Sequence, residues 1–331
     1  MAKVILDYNI GDTRKEEAAL GEVGAELVKA YWTDEDAMVK LCEDPDVVGL
    51  MVGPVAQISQ RVINAAPNLK IISRMGVGYN NIDVAAATAR NIPVSLVLDY
   101  CQTEVADHAM AFILTFARRL LPLDRTVKAG RWSSTTSDIP QARTPMFRLD
   151  TQTLGIVGSG RIGGTLVSRA RAFGMKVIAY DPYLSPEAAR EMGVMLVDFE
   201  KLLAESDFIS LHAPQTAETV GMFNADAFKK MKPTTYLVNN ARGGLVDEAA
   251  LFTALSEGII AGAGLDVTEP EPPLADNPLF KLDNVLITGH ASWYSGEAVA
   301  ELRWKSALAI VDVLKGGWPA SLANPEVRQN K

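Results

Sequence analysis

Three histidines occur in the chain, His108, His212 and His290, so the candidates for proton transfer near neutral pH are few. His290 lies just beyond the apolar run Val285–Thr288, and His212 just beyond Asp207–Leu211. Both therefore sit at the carboxyl end of a predicted strand, where open parallel sheets place their ligands. Arg242 and Asp266 close the two intervening strands and are predicted to share that edge. An arginine fork grips a carboxylate through two parallel bonds, and an imidazole suits acid–base work. Glu271 follows soon after Asp266, and a carboxylate bonded to an imidazole fixes its tautomer and favours its protonated form. Each residue alone would read as a surface ion pair or a helix cap; their shared place at strand ends favours chemistry. His108 falls inside a long helical pattern and reads as a packing residue.

A second constellation is Gly158-Ser159-Gly160-Arg161-Ile162-Gly163, which follows the run Thr153–Val157 and opens a helical pattern. In a G-x-G-x-x-G turn the first glycine permits the bend and the second lets a pyrophosphate approach the backbone. The third lets helix pack on strand, and the helix N-terminus offers free N–H groups to the phosphates. A plain Gly-rich turn is the bland reading of such a motif. Here a second strand, Lys176–Tyr180, leads into Asp181, eighteen residues past Gly163. A carboxylate at that distance suits a ribose diol and repels a 2′-phosphate, so NAD is expected, with NADH preferred over NADPH.

The elements that must position these residues alternate. Short apolar runs are predicted as strands at Val4–Leu6, Val47–Val52, Lys70–Ser73, Pro93–Val97, Thr153–Val157, Lys176–Tyr180, Asp207–Leu211, Thr235–Asn239, Gly262–Val267 and Val285–Thr288. Several are apolar throughout, as strands covered on both faces are. Helices intervene: one with Ile162, Leu166, Ala170 and Phe173 on one face, one capped by Ser185-Pro186, and one from Asp247 to Gly258. The pattern is an α/β protein with two doubly wound parallel sheets. A single long helix, Glu104 to about Leu121, and a strand-poor stretch from Gly130 to Leu149 interrupt the rhythm. Domains are therefore expected at residues 99–291 and at 1–98 with 292–331, the last helix, Gly296–Leu314, packing back on the first part.

Composition narrows the classes. With 48% hydrophobic and 22% charged residues the chain can bury real cores and is not of disordered type. Its net charge of −8 and the lack of basic runs argue against direct nucleic-acid or anionic-membrane binding. Cys42 and Cys101 have no spacing that suggests a disulfide framework or zinc, and no metal is expected. The N-terminus is charged too soon for a signal peptide, and the apolar run Ala109–Ala117 is too short to span a bilayer. A cytoplasmic protein is expected.

At this point the residues resemble the D-isomer-specific 2-hydroxyacid dehydrogenases. The likeness is carried by Arg74-Met75-Gly76-Val77-Gly78-Tyr79-Asn80-Asn81-Ile82-Asp83, by the glycine fingerprint through Asp181, and by Asn240-Ala241-Arg242-Gly243-Gly244-Leu245-Val246-Asp247-Glu248. Leu265-Asp266-Val267, Glu271-Pro272 and His290 complete it. The resemblance implies a Rossmann NAD domain inserted in a flavodoxin-like substrate domain, and a catalytic trio of Arg242, Glu271 and His290. It implies that Arg74 and the Gly76-Val77-Gly78 backbone bind the substrate carboxylate. Trp293, three residues past His290 on the same loop, is expected to shape substrate choice, a domain-interface aromatic being the bland reading. Cofactor contacts are implied at Val77, Val105, Gly158, Ser159, Gly160, Arg161, Ile162, Gly163, Asp181, His212, Ala213, Pro214, Thr219, Asn240, Ala241, Arg242, Asp266 and His290. A small 2-oxo or 2-hydroxy acid is the implied partner, and a homodimer the implied assembly. Tyr180–Ser185, Ala241–Glu248 and His290–Ser295 are similar to the C-terminal-binding-protein branch, while Gly289 stands where the family often has proline. The rival from another class is an NAD(H)-sensing corepressor of that branch with little turnover. An adenosylhomocysteinase is disfavoured by the Gly76–Gly78 loop and the chain length. A feedback-regulated phosphoglycerate dehydrogenase is disfavoured because no regulatory domain follows the last helix.

Overall fold

The computed structural model of the chain describes residues 1–7, 11–30, 34–133 and 137–330. Two compact units emerge, Met1–Tyr100 with Ser295–Lys331, and Cys101–Tyr294. The first is built on strands β1 (Ala2–Leu6), β2 (Ala25–Lys29), β3 (Val47–Val52), β4 (Ile71–Arg74) and β5 (Val94–Leu96), all parallel in the order β2-β1-β3-β4-β5. This is the flavodoxin-like order. β3 and β4 are wholly buried. The Gly296–Leu314 helix completes this unit: Ile310 meets the space beside Gly49 of β3, and the Ser73 hydroxyl donates to the Ser306 carbonyl at 3.1 Å.

The second unit holds β6 (Thr153–Val157), β7 (Lys176–Tyr180), β8 (Met195–Leu196), β9 (Phe208–Leu211), β10 (Tyr236–Asn239), β11 (Gly262–Leu265) and β12 (Val285–Ile287). They run parallel in the order β12-β11-β10-β9-β6-β7-β8, a Rossmann sheet with one added edge strand. Apolar layers cover both faces. Phe112, Leu166 and Ala170 pack with Phe208 and Val238 on one side, while Leu202, Phe228 and Leu251 pack with Ile209 and Leu237 on the other. That double cover is why these strands are apolar throughout.

Three features depart from the sequence reading. Strands β2 and β8 were not expected. Both lie at sheet edges; β2 buries only Ala25 fully and exposes Glu26 and Lys29, and β8 is two residues long. The helix expected from Glu104 to Leu121 is two helices, Gln102–Ala117 and Leu120–Lys128, broken at Arg119 with φ +55°. Pro122 accounts for the break, because it lacks an N–H and its ring would strike the carbonyl of Arg118 in a continuous helix.

The Gln102–Ala117 helix lies close on the sheet at Gly264, where an added Cβ would lie 2.7 Å from Cγ of Phe112. Gly264→Ala should therefore lower the unfolding free energy by about 1–3 kcal/mol, read as a lower urea midpoint, and Phe112→Leu in the same chain should recover part of it. An unchanged midpoint for Gly264→Ala would show that this contact does not limit the packing.

Candidate active site

Parallel strands all end on the same side, so each unit gathers its loop chemistry at one edge. In the second unit the order of β6, β9, β10 and β11 places the residues after Val157, Leu211, Asn239 and Leu265 side by side. The strand order changes direction between β6 and β9, the crevice where such sheets bind ligands.

The glycine turn after β6 has three distinct geometries. Gly158 takes φ +87°, and a Cβ there would lie 2.7 Å from the Ala213 nitrogen. A Cβ on Gly163 would lie 2.2 Å from the Gly158 carbonyl oxygen, so helix Arg161–Ala172 can approach only over a glycine. Gly160 faces open space within 4 Å of its missing Cβ, which leaves room for a ligand at the helix N-terminus. Asp181, at the end of β7, accepts from the Ser159 N–H at 2.8 Å and the Tyr183 N–H at 2.9 Å, so its carboxylate is fixed beside this turn.

Polar atoms without protein partners mark the same edge. Among the described residues, Ser159 Oγ, His212 Nδ1 and both amide atoms of Asn240 are buried and unbonded. They follow β6, β9 and β10, three adjacent strands. Buried polar groups are normally satisfied, so a polar ligand such as a dinucleotide fits this row. His212 Nε2 pairs with Ser210 Oγ at 2.8 Å, and burial pushes the imidazole down to about 4, so it is neutral at physiological pH. Thr219 donates to the Pro214 carbonyl at 2.7 Å and closes the loop His212-Ala213-Pro214. Val105 is buried in the Gln102–Ala117 helix.

His290 and Glu271 are joined directly. Nδ1 of His290 is bonded to Oε1 of Glu271, and since a carboxylate only accepts, Nδ1 carries a proton, which leaves Nε2 for another partner. His290 holds φ +55°, an uncommon conformation for a residue with a side chain, directly after Gly289 at φ +57°. The loop is held by Asp266, which is 1% exposed. Its carbonyl accepts the His290 N–H; its carboxylate accepts the Ala291 N–H at 2.8 Å, the Ser292 N–H at 3.0 Å and the Thr288 hydroxyl at 2.6 Å. Arg242 is half-buried, and its guanidinium donates to the Ala241 carbonyl at 2.7 Å. The Asn239 amide ties this turn, donating to the Arg242 carbonyl and accepting from the Ala241 N–H. Trp293 is half-buried, edge-on to Tyr294 at 5.6 Å.

In the first unit Arg74 is buried at the end of β4, bonded to the Met75 carbonyl and packed under Gly76, whose Cβ would lie 2.9 Å from its guanidinium. Gly76 takes φ +135°, and Val77 is exposed. Asp7, at the end of β1, was missed by the sequence reading. It is buried, accepts the Gly53 N–H at 2.6 Å, and burial pushes it up to about 6. A single acid after a short strand gives no signal of that burial. Thr288 was missed too, and no group of three metal-binding side chains occurs among the described residues.

Comparison with known proteins bears on this arrangement. The family model described as "D-isomer specific 2-hydroxyacid dehydrogenase, NAD binding domain" matches residues 110–292. A glyoxylate reductase of Korarchaeum cryptofilum is 42% identical over 321 residues, 94% of this chain and 94% of the relative. A D-3-phosphoglycerate dehydrogenase of Archaeoglobus fulgidus is 43% identical over 274 residues, 83% of this chain but 51% of that protein, so the chain spans about half of that relative's length. Among solved structures, D-lactate dehydrogenase from Aquifex aeolicus complexed with NAD and lactic acid superposes with a TM-score of 0.79 at 30% identity, covering 95% of this chain and 96% of that one.

His212, half-buried with its Nδ1 shielded from water, has a consequence for acid stability. The unfolded chain takes up a proton near pH 6.5, whereas the folded one resists until about 4. Its folded value is depressed, so stability is lost as pH falls through that window. His212→Gln should flatten the fall in urea midpoint between pH 7 and 4.5. A slope identical to that of the parent chain would show that the imidazole is not held neutral.

Proposed function

Because this chain belongs to the D-isomer-specific 2-hydroxyacid dehydrogenase family, we propose that it reduces a 2-oxo acid to a D-2-hydroxy acid with NADH, His290 serving as the proton donor. The observation that carries the reading is the His290–Glu271 bond on a loop fixed by buried Asp266, at the same sheet edge as Arg242 and the glycine turn. When bound, NADH supplies the hydride that reaches C2. Arg242 holds the substrate carboxylate and polarises the carbonyl. Glu271 keeps the imidazole oriented, and Nε2 of His290 gives its proton to the developing alkoxide oxygen. In the first unit, the backbone N–H groups of Gly76, Val77 and Gly78, backed by Arg74, are suited to an anion.

The cofactor reading assigns the pyrophosphate to Ser159, Arg161 and Ile162 at the helix N-terminus. Asp181 takes the ribose diol, and its charge favours NADH over NADPH. Asn240, Ala241, His212 and Asp266 are assigned to the nicotinamide end. Asp266 keeps an acceptor position free, since its two oxygens take three donors. We also propose a homodimer, supported by the family resemblance and by the cleft of about 680 Å³ between Phe116, Arg119, Arg125 and Asp283, beside exposed Leu120 and Val127; light scattering reads it directly. A cytoplasmic location is proposed on a cysteine content of two, Cys42 and Cys101, whose spacing suggests no disulfide framework. Among the described residues no helix is long and apolar enough to cross a membrane. The corepressor alternative finds no support in the three relatives named above, each of which carries an enzyme name.

His290→Ala should lose at least ~100-fold in turnover while NADH still binds, because the glycine turn is untouched. Near-normal turnover across pH would remove His290 from the proton-donor role. Trp293, three residues beyond His290, is proposed as a wall for the substrate side chain, with a domain-packing aromatic as the plainer role. Burying two or three more methylenes favours a five- or six-carbon 2-oxo acid over glyoxylate by roughly 1.5–2.5 kcal/mol, about tenfold to seventyfold in kcat/KM. The glyoxylate reductase relative points the other way, so kcat/KM for glyoxylate, pyruvate and a six-carbon 2-oxo acid is the decisive panel. Glyoxylate as clearly the best substrate would return Trp293 to a structural role.

A further inference from the structure

His108 lies on the inner part of the Gln102–Ala117 helix and none of the chemistry above uses it. Its Nε2 is 3.0 Å from the Thr288 hydroxyl oxygen and 3.9 Å from Oδ1 of Asp266. Thr288 has one proton, and the 2.6 Å separation from Asp266 Oδ1 commits it to the carboxylate, in the range of a charge-assisted O–H···O⁻ bond. The Thr288 oxygen must then accept from His108, which sets the tautomer: Nε2 carries hydrogen. The ring itself is set edge-on against Phe112, at 4.9 Å and 82°, and Phe112 is anchored in the core against Gly264. A continuous path thus runs from the core helix through His108 and Thr288 to the carboxylate that holds Ala291 and Ser292.

We propose that His108 is a positioning residue: by donating to Thr288 it locks the hydroxyl that orients Asp266, and Asp266 in turn holds the strained loop that presents His290 to Glu271. The catalytic meaning of this path rests on the reading of His290 as proton donor; the positioning itself does not. Successive N–H groups after a left-handed residue form a concave nest for an anion. Here the anion is an internal side chain, and its rotation is set by the Thr288 hydroxyl. A carboxylate free to turn would satisfy the same donors in more than one way, and the His290 loop would sample more than one position. Displacing a reacting group by an ångström costs up to ~100-fold in rate, so a partial loosening should be read in kcat more than in KM.

The test uses His108→Leu, His108→Gln and Thr288→Val in the full chain, together with the His108→Leu/Thr288→Val double variant. His108→Leu should lower kcat for 2-oxo acid reduction about tenfold with KM within about twofold. Glutamine places an N–H donor close to that of the imidazole Nε2, so His108→Gln should recover most of the rate. Thr288→Val should match His108→Leu, and combining the two should add little, since both break one path. Independently of turnover, hydrogen exchange of peptides covering residues 289–295 should accelerate in His108→Leu and Thr288→Val but not in His108→Gln. Unchanged exchange and kcat in His108→Leu would overturn the proposal, as would losses that simply add in the double variant. Glutamine behaving like leucine would also overturn it, and would reduce His108 to packing against Phe112. If the parent chain reduced no 2-oxo acid while the exchange pattern appeared as stated, the functional reading would fall and the positioning role would stand.

Discussion

A carboxylate buried to 1% exposure at the end of β11 has to be surrounded by donors, and Asp266 finds them almost entirely in the loop that follows β12. Moving an unpaired carboxylate out of water costs many kcal/mol, so the loop and the acid are mutually dependent. The loop provides N–H groups from Ala291 and Ser292, and the acid stabilises a backbone that His290 would not adopt unaided. A side chain at φ +55° costs of order 1–3 kcal/mol, and such strain survives only where its surroundings over-determine it. The His290–Glu271 pair therefore inherits its geometry from a neighbouring strand rather than from its own contacts.

That dependence follows from parallel topology. Every strand of the second sheet ends on one side, so residues far apart in sequence become neighbours without any long-range design of loops. The tight glycines at 158 and 163 let the first turn close against the loop after β9, and Asp181 reaches back to the same turn from β7. Along this edge the polar groups fall into two kinds. Asp266, Asp181 and Asn239 are bonded within the protein and shape it. Ser159, His212 and Asn240 leave buried polar atoms without partners among the described residues, an arrangement that lowers stability and suits a ligand with hydrogen-bonding groups of its own.

Much of this was legible in the sequence because it rests on local pattern. Apolar runs located the inner strands, and spacing alone connected Gly163 to Asp181 and ordered Arg242, Asp266 and His290. What failed to show was whatever depends on distant partners or weak patterning. β2 carries a half-polar sequence because it lies at an edge, and β8 is too short to leave a period. Pro122 lies just past the expected end of that helix, while the break it causes falls earlier, at Arg119. His108 and Thr288 are 180 residues apart, and nothing in either neighbourhood announces the other. Asp7 looks like any acid after a strand until burial and the Gly53 N–H are seen together.

Gly289 makes the dependence of this loop on Asp266 sharper. The resemblance that locates His290 has proline before it in many family members, and proline would fix φ near −65°. Here Gly289 takes φ +57°, a region that proline cannot enter and that glycine enters without steric cost. The stiffness a proline would give is absent, and a glycine loses more conformational freedom on ordering than any other residue. Something else must then restrict the loop. The donors that converge on Asp266 supply that restriction within the described structure: the His290 N–H on its carbonyl, and the Ala291 and Ser292 N–H groups and the Thr288 hydroxyl on its carboxylate. In this chain the conformation of the proposed proton donor is set by hydrogen bonds to one buried acid, where a ring in the backbone could have set it covalently.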